Sequence, residues 1–221
     1  MKKKIKDLID HLNHGLVERQ AAIKLVLLTV LAGENIVLVG PPGTGKSLIA
    51  RRMAQALGDT QNGGYFEYLL TKFSTPDEIF GPLSISELKA DRFRRNTTGY
   101  LPSVELAFLD EVFKASSSIL NALLTILNER IYHNGADAQR VSLRALIAAS
   151  NELPTGQEEL AALYDRFLMR CFVDYVGADG LSALMAAPTA APPSSLPMAI
   201  TRDDIQRIEQ AARSLTLPTL V

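Results

Sequence analysis

A three-layer α/β sandwich with a central, mostly parallel sheet is the fold this sequence predicts, and three observations predict it. The apolar run Ile36-Val37-Leu38-Val39 leads into Gly40-Pro41-Pro42-Gly43-Thr44-Gly45-Lys46-Ser47, which opens a helix-like segment. A second apolar run, Leu106 to Leu109, ends in the carboxylates Asp110-Glu111. It is short, continuous and suited to a strand buried on both faces. Between and after these runs, strand-like and helix-like segments alternate, as parallel α/β sheets require.

The elements follow in order. Ile5, Leu8, Ile9 and Leu12 recur at helical spacing, and Glu18 to Leu31 reads as a second helix after a turn at Asn13-His14-Gly15. Ile36 to Val39 is the first core strand. The helix of the glycine-rich loop runs from Leu48 to Leu57, with Gly58 as its C-cap. Tyr65 to Leu70 is a second strand, and Ser74-Thr75-Pro76-Asp77-Glu78 opens a short helix. From Gly81 to Leu101 the pattern weakens around Lys89, Arg92, Arg94 and Arg95, which reads as an inserted hairpin-like element with a mostly solvated basic surface. Ser116 to Glu129 is a helix with an Ile119, Leu120, Leu123, Leu124, Leu127 stripe. Asn134-Gly135 signals a hairpin within Arg130 to Ser142. Leu143 to Ser150, a helix over Gln157 to Leu163 and Cys171 to Val173 complete the sheet. These divisions give a nucleotide-binding α/β domain over 1–175, an Ala/Pro/Ser-rich linker over 176–200 and a further helical piece over 201–221.

The sequence Gly40–Ser47 is G-x-x-x-x-G-K-[ST] in its strand-to-helix setting. Glycines let backbone N–H groups turn inward around phosphate oxygens, and the following helix adds its positive dipole end. Lys46 reaches the β- and γ-phosphates, and Ser47 offers a hydroxyl to Mg²⁺. Leu48 opens the helix. At the end of a buried strand, Asp110 is placed to hold Mg²⁺ through its water shell and Glu111 to orient an attacking water. Asn151, after the strand ending at Ser150, can hydrogen-bond the γ-phosphate or the water. Its bland reading is a turn residue. Arg166 is the candidate for a cation acting in trans, with a salt bridge to Asp165 as the alternative and Arg170 in reserve. Cys171, the lone cysteine, reads as a buried inert thiol.

Composition sets limits on these readings. The chain has 221 residues, 47% hydrophobic, and a net charge of −1, which argues against general nucleic-acid coating. A single cysteine and three scattered histidines exclude a disulfide framework or a Cys/His zinc site within the chain. The N-terminal lysines lack a following apolar region, and the longest greasy stretch is interrupted by Lys24, Glu34 and Asn35. A cytoplasmic protein without a membrane span is the expectation.

Taken together, the motifs resemble the MoxR branch of the AAA+ ATPases, most closely its regulatory ATPase variant A (RavA) subgroup. The likeness is carried by residues 40–52, Phe73 to Ser84, Phe108 to Glu111, Leu120 to Leu124, Ala149 to Pro154 and Leu163 to Arg166. It implies Walker A at Lys46 and Ser47, Walker B at Asp110 and Glu111, sensor 1 at Asn151, and the arginine finger at Arg166. It also implies a helix-2 insert over Gly81 to Leu101, a hairpin before sensor 1 over Arg130 to Ser142, and an adenine-lining segment over Gly15 to Arg19 that includes Leu16 and Val17. The resemblance further implies an ATP- and Mg²⁺-dependent, chaperone-like remodeller working as a hexameric ring, with a protein client and a von Willebrand factor A-domain partner. By the same resemblance, 201–221 is the start of a truncated α-helical lid whose remainder is expected to be absent, and such a chain is expected to bind nucleotide while assembling or hydrolysing poorly unaided. The alternative function is a nucleotide-gated scaffold with incidental turnover. A single-subunit phosphoryl transferase is a third reading, and the lack of an N-K-x-D motif disfavours a GTPase.

Overall fold

The structure is a computed structural model that describes residues 1–57, 64–154, 158–186 and 199–215. In chain order its elements begin with α1 (Lys2–Leu12), α2 (Gln20–Ala32), β1 (Ile36–Val39), α3 (Lys46–Ala56) and β2 (Tyr65–Leu69). The short helices α4 (Pro76–Phe80) and α5 (Ile85–Leu88) precede β3 (Leu106–Asp110) and α6 (Ser117–Glu129). Then come β4 (Ile131–Asn134), β5 (Asp137–Arg140), β6 (Ala145–Ser150), α7 (Glu158–Asp165), β7 (Met169–Phe172), α8 (Ala178–Ala186) and α9 (Arg202–Arg213).

Five strands form one parallel sheet in the order β2-β3-β6-β1-β7. The inner strands β1, β3 and β6 are apolar along nearly their whole length because helices cover both faces. Successive side chains still point to opposite sides. Ile36, Leu38, Leu106, Phe108, Ala145, Ile147 and Ala149 meet α1, α2, α3 and α9 on one face. Val37, Val39, Ala107, Leu109, Leu146 and Ala148 meet α4, α6 and α7 on the other. In α6 the buried residues are Ile119, Leu120, Leu123, Ile126 and Leu127. Burying each such side chain is worth about 1.5–3 kcal/mol before entropy is counted. The three layers expected from the sequence are therefore present.

Local chemistry sets the boundaries. Gly45 (φ 87°) is the N-cap of α3, so this helix starts two residues earlier than its apolar pattern predicts. Gly58 and Gln157 lie outside the described residues. Thr75 and Glu78 form a reciprocal capping box that starts α4, with Pro76 in the first turn. The antiparallel β4-β5 hairpin turns at Gly135 (φ 69°), where a Cβ would lie 1.9 Å from the Phe93 carbonyl oxygen. That close approach lets the 81–101 insert lie on the hairpin, where Asn134 accepts the Arg95 N–H (2.7 Å) and donates to the Arg95 carbonyl (3.0 Å). The insert is closed by a single Leu83–Arg95 bridge and contains α5, a helix the sequence pattern does not reveal. Three of its four basic residues are paired: Arg92 with Glu87, Arg94 with Asp137 and Arg95 with Asp77.

Two features of the C-terminal part are hidden by its composition or depend on long-range contacts. The segment expected to be a linker contains α8, and residues 187–198 lie outside the described residues. The helix expected over 201–221, α9, packs on the first face through Ile205, with Ile200 just before it. Charge pairs that sequence proximity cannot show hold it there: Lys4–Asp204, Arg144–Glu209 and Arg202–Glu105. Lys4 and the Thr201 amide lower the Asp204 carboxyl to about 2. Its contribution is therefore complete above the ordinary carboxylate range and is lost as pH falls from there through that value. Among the described residues no helix is long and apolar enough to cross a membrane.

Candidate functional site

Parallel pairing in register brings the ends of three strands to one edge. Val39 lies opposite Ser150, and Leu109 opposite Ala148. Gly40, Asp110 and Asn151, remote in sequence, thus leave the sheet side by side, where open α/β sheets bind ligands. Gly40 donates its N–H to the Ser150 carbonyl (3.1 Å), and Val173 donates to Val39 (2.8 Å). A Cβ on Gly40 would lie 1.9 Å from the Val173 carbonyl oxygen, so only glycine lets the loop leave the sheet here. Gly43 (φ 78°) and Gly45 adopt left-handed conformations that side chains disfavour, and each faces open space. Pro41 is half-buried and Pro42 exposed. Thr44 is buried and donates its hydroxyl to the Pro41 carbonyl (3.0 Å).

Lys46 is only 6% exposed, and its Nζ donates to Gly40 O (2.6 Å), Pro41 O (2.9 Å) and Asn151 Oδ1 (3.1 Å). Burial lowers its pKa, while Asp110 and Glu111 act in the opposite direction. All three partners are neutral, so phosphate oxygens would offer a stronger, charge-assisted alternative. Asn151 donates its amide to Glu111, whose other carboxylate oxygen lies 3.4 Å from Lys114 Nζ. Glu111 is buried and left-handed (φ 53°), a strained backbone of the kind that concentrates at functional sites. Asp110 accepts the Glu111 N–H at 2.9 Å. Burial, helped by the charges of Glu111 and Glu67, nonetheless raises its pKa against the lowering by that hydrogen bond and by Lys46.

These residues also pass a test for Mg²⁺. No cluster of three or more His, Cys, Asp or Glu side chains exists among the described residues, so no all-protein metal cage is available. Mg²⁺ does not need one, since it is usually held by one or two carboxylates, waters and substrate phosphates. A partly desolvated Asp110 at the end of β3, and a Ser47 hydroxyl at the start of α3 with no hydrogen-bond partner among the described residues, suit that mode.

The two arginine candidates separate clearly. Arg170 pairs with Asp165 (3.2 Å) and lies 4.2 Å from the Tyr164 ring centroid. Arg166, in the turn between α7 and edge strand β7, is exposed and makes no side-chain hydrogen bond or ion pair among the described residues. It does not join the Lys46 cluster of its own chain. Leu16 and Val17 are half-buried in the bend before α2, and Leu48 is half-buried in the first turn of α3. Burial raises the Cys171 pKa, as an inert thiol requires. Sequence reading missed Lys114, although its spacing of three from Glu111 was a legible signal. It also missed Arg19 as a partner of the loop: its guanidinium bonds the Thr44 carbonyl at 2.8 Å.

Comparison with known proteins gives a consistent result. A family profile described as the MoxR domain in the MoxR-vWA-beta-propeller ternary systems matches residues 3–210. The uncharacterized protein MJ0812 of Methanocaldococcus jannaschii is 46% identical over 213 residues, 96% of this chain and 55% of that protein. The chain spans about half the length of the curated relatives it matches. Among solved structures, a Cytophaga hutchinsonii protein of provisional ATPase assignment superposes with TM-score 0.74 at 20% identity, covering 98% of this chain and 65% of that one. Saccharomyces cerevisiae Hsp104 in its ADP complex superposes with TM-score 0.56 at 14% identity, covering 84% and 38%. These two likenesses concern the fold. The chain belongs to the MoxR family, as the MoxR domain of the MoxR-vWA-beta-propeller systems, and it has the α/β fold of the AAA+ ATPases.

Proposed function

We propose that this chain binds ATP with Mg²⁺ at Gly40–Leu48 and hydrolyses it to ADP and phosphate. The observation that supports this most is the hydrogen-bonded series Lys46–Asn151–Glu111, set beside Asp110 at the sheet edge and below the glycine-rich loop. Lys46 exchanges its loop carbonyls for β- and γ-phosphate oxygens, and the N-terminus of α3 adds backbone donors. Ser47 and Asp110 hold the cation, which when bound neutralises charge on the β- and γ-phosphates. With Lys46 drawn to phosphate, Asn151 can hydrogen-bond the γ-phosphate. Glu111 then accepts a proton from water as its oxygen bonds to phosphorus and ADP leaves. Leu16 and Val17 line the adenine in this reading.

Arg166 completes the site from a neighbouring copy. An exposed arginine at a sheet edge, outside its own chain's cluster, is what an inter-subunit site needs, and a ring, probed first as a hexamer, supplies it. Within the family we keep the likeness to the regulatory ATPase variant A subgroup as part of this proposal, with a chaperone-like remodelling role in the cytoplasm. The vWA and β-propeller proteins of the matching family description are the proposed partners.

Release of phosphate from Mg-ATP tests the activity. ADP and phosphate should appear in equal amounts, and chelating the Mg²⁺ should abolish both. ATP bound at saturation without phosphate release would instead favour a nucleotide-gated scaffold.

A further inference from the structure

Arg19 is 7% exposed, and no acid neutralises it through any bond it makes. Its guanidinium donates only to backbone carbonyls: Nε to Thr44 O (2.8 Å), one terminal nitrogen to Glu18 O (2.9 Å), and the other to Asp174 O (2.6 Å). Burying a cation without a counter-charge is costly, and the planar, five-donor fork of arginine spreads its donors over three nitrogens, one to each of these carbonyls. Thr44 lies inside the glycine-rich loop, and Asp174 follows the last strand. Because a peptide is planar and trans, holding the Thr44 carbonyl toward Arg19 turns the Gly45 N–H to the opposite side of the loop.

The preceding residue engages the same distant segment. Glu18 is held in the left-handed region at φ 59°, a costly conformation for a residue with a side chain. Its carboxylate accepts the Gly177 N–H at 2.9 Å, just before α8. A Cβ on Gly180 would lie 2.4 Å from the same carboxylate, so the first turn of α8 wraps closely on Glu18. Two consecutive residues thus join the loop, the exit of β7 and the start of α8.

We propose that Glu18–Arg19 is a positioning element that orients the Thr44–Gly45 peptide for phosphate and couples the loop to residues 174–180. This rests on the reading of Gly40–Ser47 as a nucleotide site. Occupying the loop stiffens it, and the Arg19 fork passes that stiffening to the Asp174 carbonyl. Glu18 carries it to the first turn of α8.

Amide hydrogen exchange with and without Mg-ADP, together with measured ADP affinity, tests the coupling in the wild type, Arg19→Lys, Arg19→Met and Glu18→Gln. In the wild type, ADP should slow exchange in residues 43–47 and 174–180 together. Arg19→Lys keeps the charge but replaces three donor nitrogens with one, so the Nε–Thr44 bond and the two terminal bonds cannot all keep their present geometry. It should weaken ADP binding by roughly tenfold to a hundredfold, the loss of about one charge-assisted hydrogen bond. At saturating ADP it should keep protection at 43–47 and lose it at 174–180. Glu18→Gln should reduce protection at 174–180 with little change in affinity. Unchanged affinity and unchanged coupled protection in Arg19→Lys would overturn the proposal, including where Arg19→Met fails to fold. If the wild type binds no ADP, the nucleotide reading fails and the ADP-free proteins decide the clamp. Faster exchange in both segments of Arg19→Lys supports it, and wild-type exchange refutes it.

Discussion

Replacing Arg166 with alanine should lower ATP turnover of the assembled protein by roughly 10³–10⁵-fold. ATP affinity should change little, because Arg166 contributes nothing to the Lys46 cluster of its own chain. The size of the effect follows from the transition state, in which negative charge spreads over equatorial phosphate oxygens in a site from which water is excluded. Its direction follows from the surface: Arg170 is committed to Asp165 and Tyr164, whereas Arg166 is unengaged among the described residues. Mixing gives the sharper readout. An inactive Lys46→Met chain has an intact Arg166, and an inactive Arg166→Ala chain has an intact loop, so together they should regain part of the turnover. Full activity of Arg166→Ala alone would place the whole reaction within one subunit, as a single-chain phosphoryl transferase would have it.

Glu111→Gln should lower turnover by about 10²–10⁴-fold while ATP stays bound. Glutamine preserves size and can still meet Asn151, but it cannot take a proton from water at neutral pH. Asn151 and Lys114 each engage one carboxylate oxygen of Glu111 and leave further lone pairs for the attacking water. Trapped ATP, detected as unhydrolysed nucleotide after rapid gel filtration, is the expected result. A Glu111→Gln protein that turns over ATP like the wild type would remove the residue from the chemistry.

Much of this site could be read in the sequence because its parts are local. Gly40–Ser47, Asp110-Glu111 and Asn151 each follow an apolar run, and a parallel sheet necessarily gathers the ends of such runs at one edge. What could not be read depends on backbone geometry or long-range contact. Nothing local predicts that Glu18 and Glu111 adopt positive φ, and Arg19 meets its partners 25 and 155 residues away. The alanine- and proline-rich composition near α8 concealed a nine-residue helix. The capping sequence of α9 was legible, but its docking depends on Lys4, 200 residues from Asp204, and on Arg144. In the insert, a four-residue helix is too short to show a period.

The central claim is that Gly40–Ser47 holds a nucleoside triphosphate with Lys46 as its cation. Titration calorimetry of the chain with a slowly hydrolysed ATP analogue, with and without Mg²⁺, tests it most directly. The account predicts one site per chain, tighter with Mg²⁺ and lost in Lys46→Met. Absence of binding by the folded wild-type chain, or equal affinity in Lys46→Met, would contradict it.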